Sequence, residues 1–152
     1  EIIKVIPHAK LVIVGDGPEL EKLRVTSSQL QASVTFTGAV PKDTVVFYLA
    51  AADVFLLNTS YEGFSHQLIE ALALGVPVIT TNAGGNKEVV RDGENALVAD
   101  YNNSESWKEK ILELYQNESL RQKFKVNNAD IAKQYSIETM IVKTENLLYE
   151  SR

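Results

Sequence analysis

Two carboxylates separated by seven residues, Glu62 and Glu70, bracket a glycine-aromatic-serine turn in the stretch "YEGFSHQLIEALALG". A turn of this composition lets the N–H groups of Gly63, Phe64 and Ser65 open a helix, whose N-terminus carries partial positive charge and accepts an anion. Glu70 falls about one and a half turns into that helix, with His66 at i−4 and Gln67 at i−3. Its carboxylate can therefore face the same crevice and accept protons from two hydroxyls, as a ribose diol offers them. Gly84 and Gly85 repeat the motif ahead of a short helix expected near Lys87 to Arg91, and two residues without Cβ let backbone donors approach a diphosphate. Each feature has a plainer alternative: an acid at a helix start, an acid on a solvated face, a Gly-Gly turn. Taken together they point to a ligand with an anionic centre and neutral hydroxyls.

A second glycine pair, Gly15 and Gly17 in "VIVGDGPEL", lacks the dinucleotide fingerprint because Leu20 stands where its third glycine belongs. It reads as a tight turn before a helix started by Pro18, with Glu19 and Glu21 favoured by the helix dipole. The sequence contains no Walker motif, no His-Glu-x-x-His pair and no Gly-x-Ser-x-Gly elbow. His8 and His66 lie too far apart in sequence and context to indicate a metal site, and none is expected.

The elements that must position these residues alternate. "KLVIVG" (strand over 11–15), "VTFTG", "DVFLLN", "PVITT" and "ALVA" are short apolar strand runs, separated by the helical stretches "GPELEKLRVTSSQL", "KDTVVFYLAAA" and "YEGFSHQLIEALALG". Nearly continuous apolar strands alternating with helices imply a parallel sheet buried on both faces and wound through βαβ crossovers, a doubly wound α/β domain. Ligands of such sheets bind beyond the carboxyl ends of the strands, where all the glycine- and acid-bearing loops fall. After Asp100 the strands stop. Helical spacing of Trp107, Ile111 and Leu114, then Leu120, Phe124 and Ile131, predicts helices that cover the sheet, and Ser136 with Thr139 opens a last one.

With 152 residues, 45% hydrophobic and 23% charged, the chain suits one domain with a core of its own. A net charge of −5 argues against a broad nucleic-acid footprint. There is no cysteine, so disulfides and thiolate metal sites are excluded. No apolar run approaches a membrane span and the first residues lack a signal-peptide layout, which gives a cytoplasmic expectation. "EIIKVIPHA" reads as the tail of a helix interrupted by Pro7, with no cap before it.

The runs "LVIVGDGPELEKL" and "VTFTGAVPKDTVVFYLAAADVFLLNTSYEGFSHQLIEALALGVPVITTNAGGNKEVVRDGENALVA", in this order and spacing, resemble the nucleotide-binding half of GT-B glycosyltransferases of family 4, the glycosyl transferases group 1 type. The likeness covers roughly residues 7–100, and its most specific part is Glu62-x7-Glu70 followed by "GVPVI" and "GG". It implies a Rossmann-like GT-B half-domain that binds a nucleotide-diphosphate sugar. Glu62 matches the acid that orients the donor sugar, the one catalytic assignment, and Glu70 the acid that binds the ribose hydroxyls. Gly63, Phe64 and Ser65 match the helix-opening loop at the sugar and diphosphate, beside which His66 is a variable position. Gly38 and Val40 match a loop that holds the base, Gly15 and Gly17 the "GxGP" turn, and Gly84, Gly85 and Glu88 the "GGxxE" region, with Asn86-Lys87 in place of the commoner Ile-Pro.

The resemblance further implies retention at the anomeric carbon, with no bound metal or other cofactor. Helix N-termini and basic side chains then stabilise the leaving diphosphate. It implies a glycan or lipid-linked acceptor carried by an N-terminal domain, and a central strand and loop upstream of Glu1 with an Arg and a Lys. The chain is thus expected to be the C-terminal donor-binding fragment (1–152) of a longer enzyme, inactive alone and lacking its first, central strand. The parent enzyme is expected in polysaccharide synthesis at the inner membrane face. Two other readings remain open: a GT-B-like sugar-nucleotide epimerase, and a noncatalytic α/β assembly module.

Overall fold

The computed structural model describes residues 1–30 and 33–150. The chain divides into two compact units, with the boundary after Tyr48. In the first unit a short helix α1 (Ile2–Val5) precedes strand β1 (Leu11–Ile13), helix α2 (Leu20–Gln29) and strand β2 (Val34–Phe36), and helix α3 (Lys42–Ala50) runs across the boundary. The second unit continues with β3 (Phe55–Leu57), α4 (His66–Ala73), β4 (Val78–Thr80), α5 (Asn86–Val89), β5 (Leu97–Val98), α6 (Ser104–Gln116), α7 (Glu118–Lys133) and α8 (Ile137–Glu150).

All strand pairing between these elements is parallel, in two sheets of order β1-β2 and β3-β4-β5. In register, Leu11 lies opposite Val34 in the first sheet, Phe55 opposite Val78 and Ile79 opposite Leu97 in the second. The α/β class and the element order therefore follow the apolar periodicity. The expected burial of every strand on both faces holds only for β4, whose three residues are all buried. β4 is flanked by strands on both sides and packed against α4. β1 has one strand neighbour, and its Leu11 and Val12 are 44% and 40% exposed.

The core of the second unit is Ile79, Leu97, Ala99, Leu114 and Phe124, with Val54, Leu56, Trp107, Ile111 and Leu120 packed against it. Of the apolar stripe foreseen on the last helices, Trp107, Ile111, Leu114, Leu120 and Phe124 thus cover this sheet, whereas Ile141 and Leu148 of α8 are exposed. α4 buries Leu68, Ala71 and Leu72 completely and packs chiefly on α7. Side-chain amides and a hydroxyl fix the helix starts: Asn103 accepts from Ser106 N–H at α6 (3.2 Å), Asn117 from Leu120 N–H at α7 (2.9 Å), and Ser136 from Thr139 N–H at α8 (3.2 Å). At the α6–α7 joint, Arg121 Nη1 donates to the carbonyls of Leu114 and Tyr115 at 2.5 and 2.6 Å, satisfying carbonyls the helix end leaves unpaired. Among the described residues no helix is long and apolar enough to cross a membrane.

Candidate functional site

Helix α4 is fixed at both ends by its own sequence. Ser65, buried, caps its start: the hydroxyl accepts the Leu68 N–H at 3.3 Å and the carbonyl accepts the Ile69 N–H at 3.2 Å. Gly75 ends it in the left-handed region at φ 69°, donating its N–H to the Leu72 carbonyl. Leu68, Ala71 and Leu72 face the core, whereas Glu70 is half-buried and His66 exposed. Glu62, just upstream of the cap, is also half-buried. With the Leu68 N–H taken by the Ser65 hydroxyl, the N–H groups of His66 and Gln67 are those for which the helix supplies no acceptor, at the end of α4 beside these acids.

The second loop lies directly on the first. The Gly85 N–H donates to the Glu62 carbonyl at 2.9 Å. A Cβ on Gly84 would collide with the Glu62 carbonyl, and one on Gly85 with the Gly63 carbonyl. This contact revises the reason for three glycines. Gly84 and Gly85 are small because two backbones touch there, quite apart from any anion. Gly63, expected to be glycine for a sharp turn, has no positive φ, and a Cβ on it would meet nothing within 4 Å; what the partner loop needs from it is its carbonyl position.

Asn86, which departs from the pattern the resemblance implies, proves to be a buried anchor. Its Nδ2 donates to Thr80 Oγ1 at 3.1 Å and, more weakly, to the Thr81 carbonyl at 3.4 Å, tying α5 to the end of β4. Farther along the edge, Thr81 Oγ1 donates to the Thr59 carbonyl at 2.5 Å and Thr59 Oγ1 to the Tyr61 carbonyl at 2.6 Å. A chain of hydroxyls thus runs from β4 to the residue before Glu62. The sequence points to the loops beyond these strand ends but gives their threonines no role. A cleft of about 290 Å³ opens beside them, lined by parts of 59–60, 81–83 and 98–101. None of the predicted donor residues lines it.

In the first unit the predicted glycine loops also meet. The Gly15 N–H donates to the Gly38 carbonyl at 3.0 Å, beyond the ends of β1 and β2. Gly17 donates its N–H to Asp16 Oδ1 at 2.7 Å, and Val40 is half-buried just before α3. The expected residues thus form two clusters: Gly15, Gly17, Gly38 and Val40 in one unit, and Glu62 to Glu70 with Gly84, Gly85 and Glu88 in the other.

The aromatic contacts of the second cluster add a residue that sequence reasoning missed. Phe64 stands edge-on to His66, with ring centroids 6.3 Å apart, and 5.4 Å from the ring of Tyr135. Tyr135 also donates its hydroxyl to the Glu88 carbonyl at 3.1 Å. The available signal is a lone aromatic in "AKQYS", immediately before a helix cap.

The family model described as Glycosyl transferases group 1 matches residues 2–130. The chain belongs to this family. An uncharacterized glycosyltransferase of Methanocaldococcus jannaschii is 32% identical over 140 residues, covering 91% of this chain and 40% of the relative. A GDP-mannose-dependent α-(1-6)-phosphatidylinositol monomannoside mannosyltransferase of Mycobacterium tuberculosis is 40% identical over 104 residues, 62% of this chain and 27% of the relative. The chain therefore spans well under half the length of these curated relatives. In structure it resembles the Anabaena protein HepE, crystallised with UDP-glucose, with a TM-score of 0.85 over 98% of this chain and 44% of that one. At 22% identity that likeness shows the GT-B half-domain fold.

Proposed function

We propose that this glycosyltransferase chain is the donor-binding domain of a retaining, metal-independent enzyme that transfers a hexose-type sugar from a nucleoside diphosphate to a glycan or lipid-linked acceptor. One observation carries the donor-binding part: the loops holding Glu62 and Gly84-Gly85 are packed backbone to backbone beside the capped N-terminus of α4. That arrangement sets helix-terminal N–H donors next to two half-buried carboxylates. It can hold an anionic diphosphate and, on either side of it, neutral hydroxyls of a sugar and a ribose. In this reading Glu70 accepts from the ribose hydroxyls. Glu62 orients the donor sugar, and its developing charge is met by preorganised donors. Hexose donors are supported by the names of the relatives, whose nucleotides differ: GDP-mannose for the mycobacterial enzyme, UDP-glucose in the HepE crystal. The lipid-linked acceptor has its support in the phosphatidylinositol substrate named for the same mycobacterial enzyme. Retention and independence from metal or other cofactors rest on the family resemblance. So do the cytoplasmic location at the inner membrane face, the role in polysaccharide synthesis, and transfer only together with an acceptor-binding domain.

Titration of the chain with UDP-, GDP- and ADP-sugars tests the donor site. One of them is expected to bind, and Glu70→Ala to weaken it about tenfold or more, since two ribose hydroxyls lose a charged acceptor. If none binds at millimolar concentration, the donor-site assignment fails. Joined to an acceptor-binding domain, the chain should support sugar transfer, and full activity in Glu62→Ala would remove the role given to that acid.

A further inference from the structure

We propose that Tyr135 is a positioning residue for donor binding, bracing the Phe64 loop and the Glu88 loop at once from the joint between α7 and α8. The inference rests on the donor-site reading above, because those two loops are the ones assigned to the sugar and diphosphate.

The joint is a fixed point. α7 is tied down by Lys123 Nζ donating to the Gly93 carbonyl (2.8 Å), Asn127 Nδ2 to the Glu94 carbonyl (2.7 Å) and buried Asn128 Nδ2 to the Val76 carbonyl (3.3 Å). The turn after it is closed by the Tyr135 N–H on the Ala132 carbonyl (3.1 Å) and by Thr139 Oγ1 on the Lys133 carbonyl (2.8 Å). From this base the half-buried Tyr135 makes two separable contacts. Its ring meets Phe64 at 5.4 Å with the planes inclined by 47°. Phe64 directly precedes the Ser65 cap and is two residues from Glu62. The Tyr135 hydroxyl donates to the Glu88 carbonyl at 3.1 Å. That carbonyl sits in the last turn of α5, where the helix has no N–H left to offer it. Two loops joined to one another by the Gly85–Glu62 bond are thus joined a second time, through a side chain from a helix pair outside either loop. Holding both before the ligand arrives lowers the ordering that binding requires.

Hydrogen exchange of the 152-residue chain, with UDP, GDP and ADP titrated calorimetrically, separates the two contacts. Tyr135→Leu is expected to speed exchange at Gly63–Ser65 and Gly85–Glu88 about tenfold, as local opening becomes easier, and to leave β4 and α6 unchanged. It should also weaken the bound nucleotide about fivefold, the scale of one lost neutral contact. Tyr135→Phe keeps the ring, so exchange should rise only around Glu88. Wild-type exchange in both loops of Tyr135→Leu would overturn the brace. So would a uniform rise across the chain, which marks general destabilisation. If the wild type binds nucleotide, Glu70→Ala loses it and Tyr135→Leu binds as well as wild type, the role of Tyr135 alone is overturned. If the wild type binds none of the three nucleotides, the donor reading fails, whatever the loops show.

Discussion

The two units are built from the same unit of sequence, an apolar strand, a glycine loop and a helix, yet they treat their glycine loops oppositely. In the first unit a Cβ on Gly15, Gly17 or Gly38 would meet nothing within 4 Å. In the second, Gly84 and Gly85 leave no room for one, because the backbone of Glu62 and Gly63 occupies the space. The cores differ in the same sense. Every buried apolar residue among the described residues lies at or beyond Leu49, and no residue of α2 is buried. A two-stranded parallel pair with one amphipathic helix offers too little surface to bury its own apolar side chains, whereas three strands covered by α4, α6 and α7 do so. Both units join two loops by a backbone hydrogen bond, Gly15 to Gly38 and Gly85 to Glu62, but only over the larger core are the backbones packed so closely that a Cβ is excluded.

The largest test of this contrast is truncation at matched apolar positions. Phe124→Ala removes a fully buried ring from the second core and should cost about 3–5 kcal/mol in chemical denaturation. Val12→Ala, at a position 40% exposed in β1, should cost well under that, about 1 kcal/mol or less. Comparable losses would mean that the two units do not differ in packing as described. Next in size are the glycines. Gly85→Ala forces the two loops apart and should cost about 1–3 kcal/mol, with loss of nucleotide binding. Gly63→Ala and Gly17→Ala should stay within about 0.5 kcal/mol, having open space and an ordinary φ.

These pairs also show what the sequence could and could not disclose. Element order, the end of α4 and the prominence of Glu62-x7-Glu70 were legible, since periodicity and a terminal Gly75 are local signals; Gly63 to Ser65, expected to open the helix, instead precede it, with Ser65 as its cap. Leu11 and Ile79 look alike in sequence, and only strand order makes one exposed and the other buried. Gly84 and Gly85 were recognised, but as an anion cradle; the carbonyls that exclude their Cβ atoms come from a loop about twenty residues earlier, a tertiary fact no local pattern carries. Tyr135 was invisible for the same reason, its partners Phe64 and Glu88 lying far upstream.

Intermediate effects should map how far the tight region extends. Buried Asn95 donates through Nδ2 to the Val89 carbonyl at 2.9 Å and accepts the Arg91 N–H at 2.7 Å, closing the loop between α5 and β5. Asn95→Ala leaves both backbone groups without that partner and should cost about 1–3 kcal/mol in denaturant titration. Ser65→Ala, losing the cap of α4, should cost about 1 kcal/mol. Both belong to the second unit, and neutral outcomes would shrink its rigid region to the core alone.

The smallest effect marks where that region ends. On α8 the large apolar residues Met140, Ile141, Leu147 and Leu148 are exposed, much as in the first unit. Here a backbone N–H at the helix start, and then the Ser136 hydroxyl, hold the Glu138 carboxyl below its ordinary value. The folded chain therefore binds the acidic proton less readily than the unfolded one. The contribution of this charge is fully present above the unfolded carboxylate pKa and disappears as pH falls through the lower folded value. Glu138→Gln should accordingly lower the melting temperature slightly at neutral pH and not at all in strong acid, where both chains carry a neutral group. Because the carboxyl is fully exposed, the neutral-pH difference should also shrink on adding salt. A large, salt-resistant loss would instead place the start of α8 inside the rigid part of the second unit, together with the Tyr135 joint that immediately precedes it.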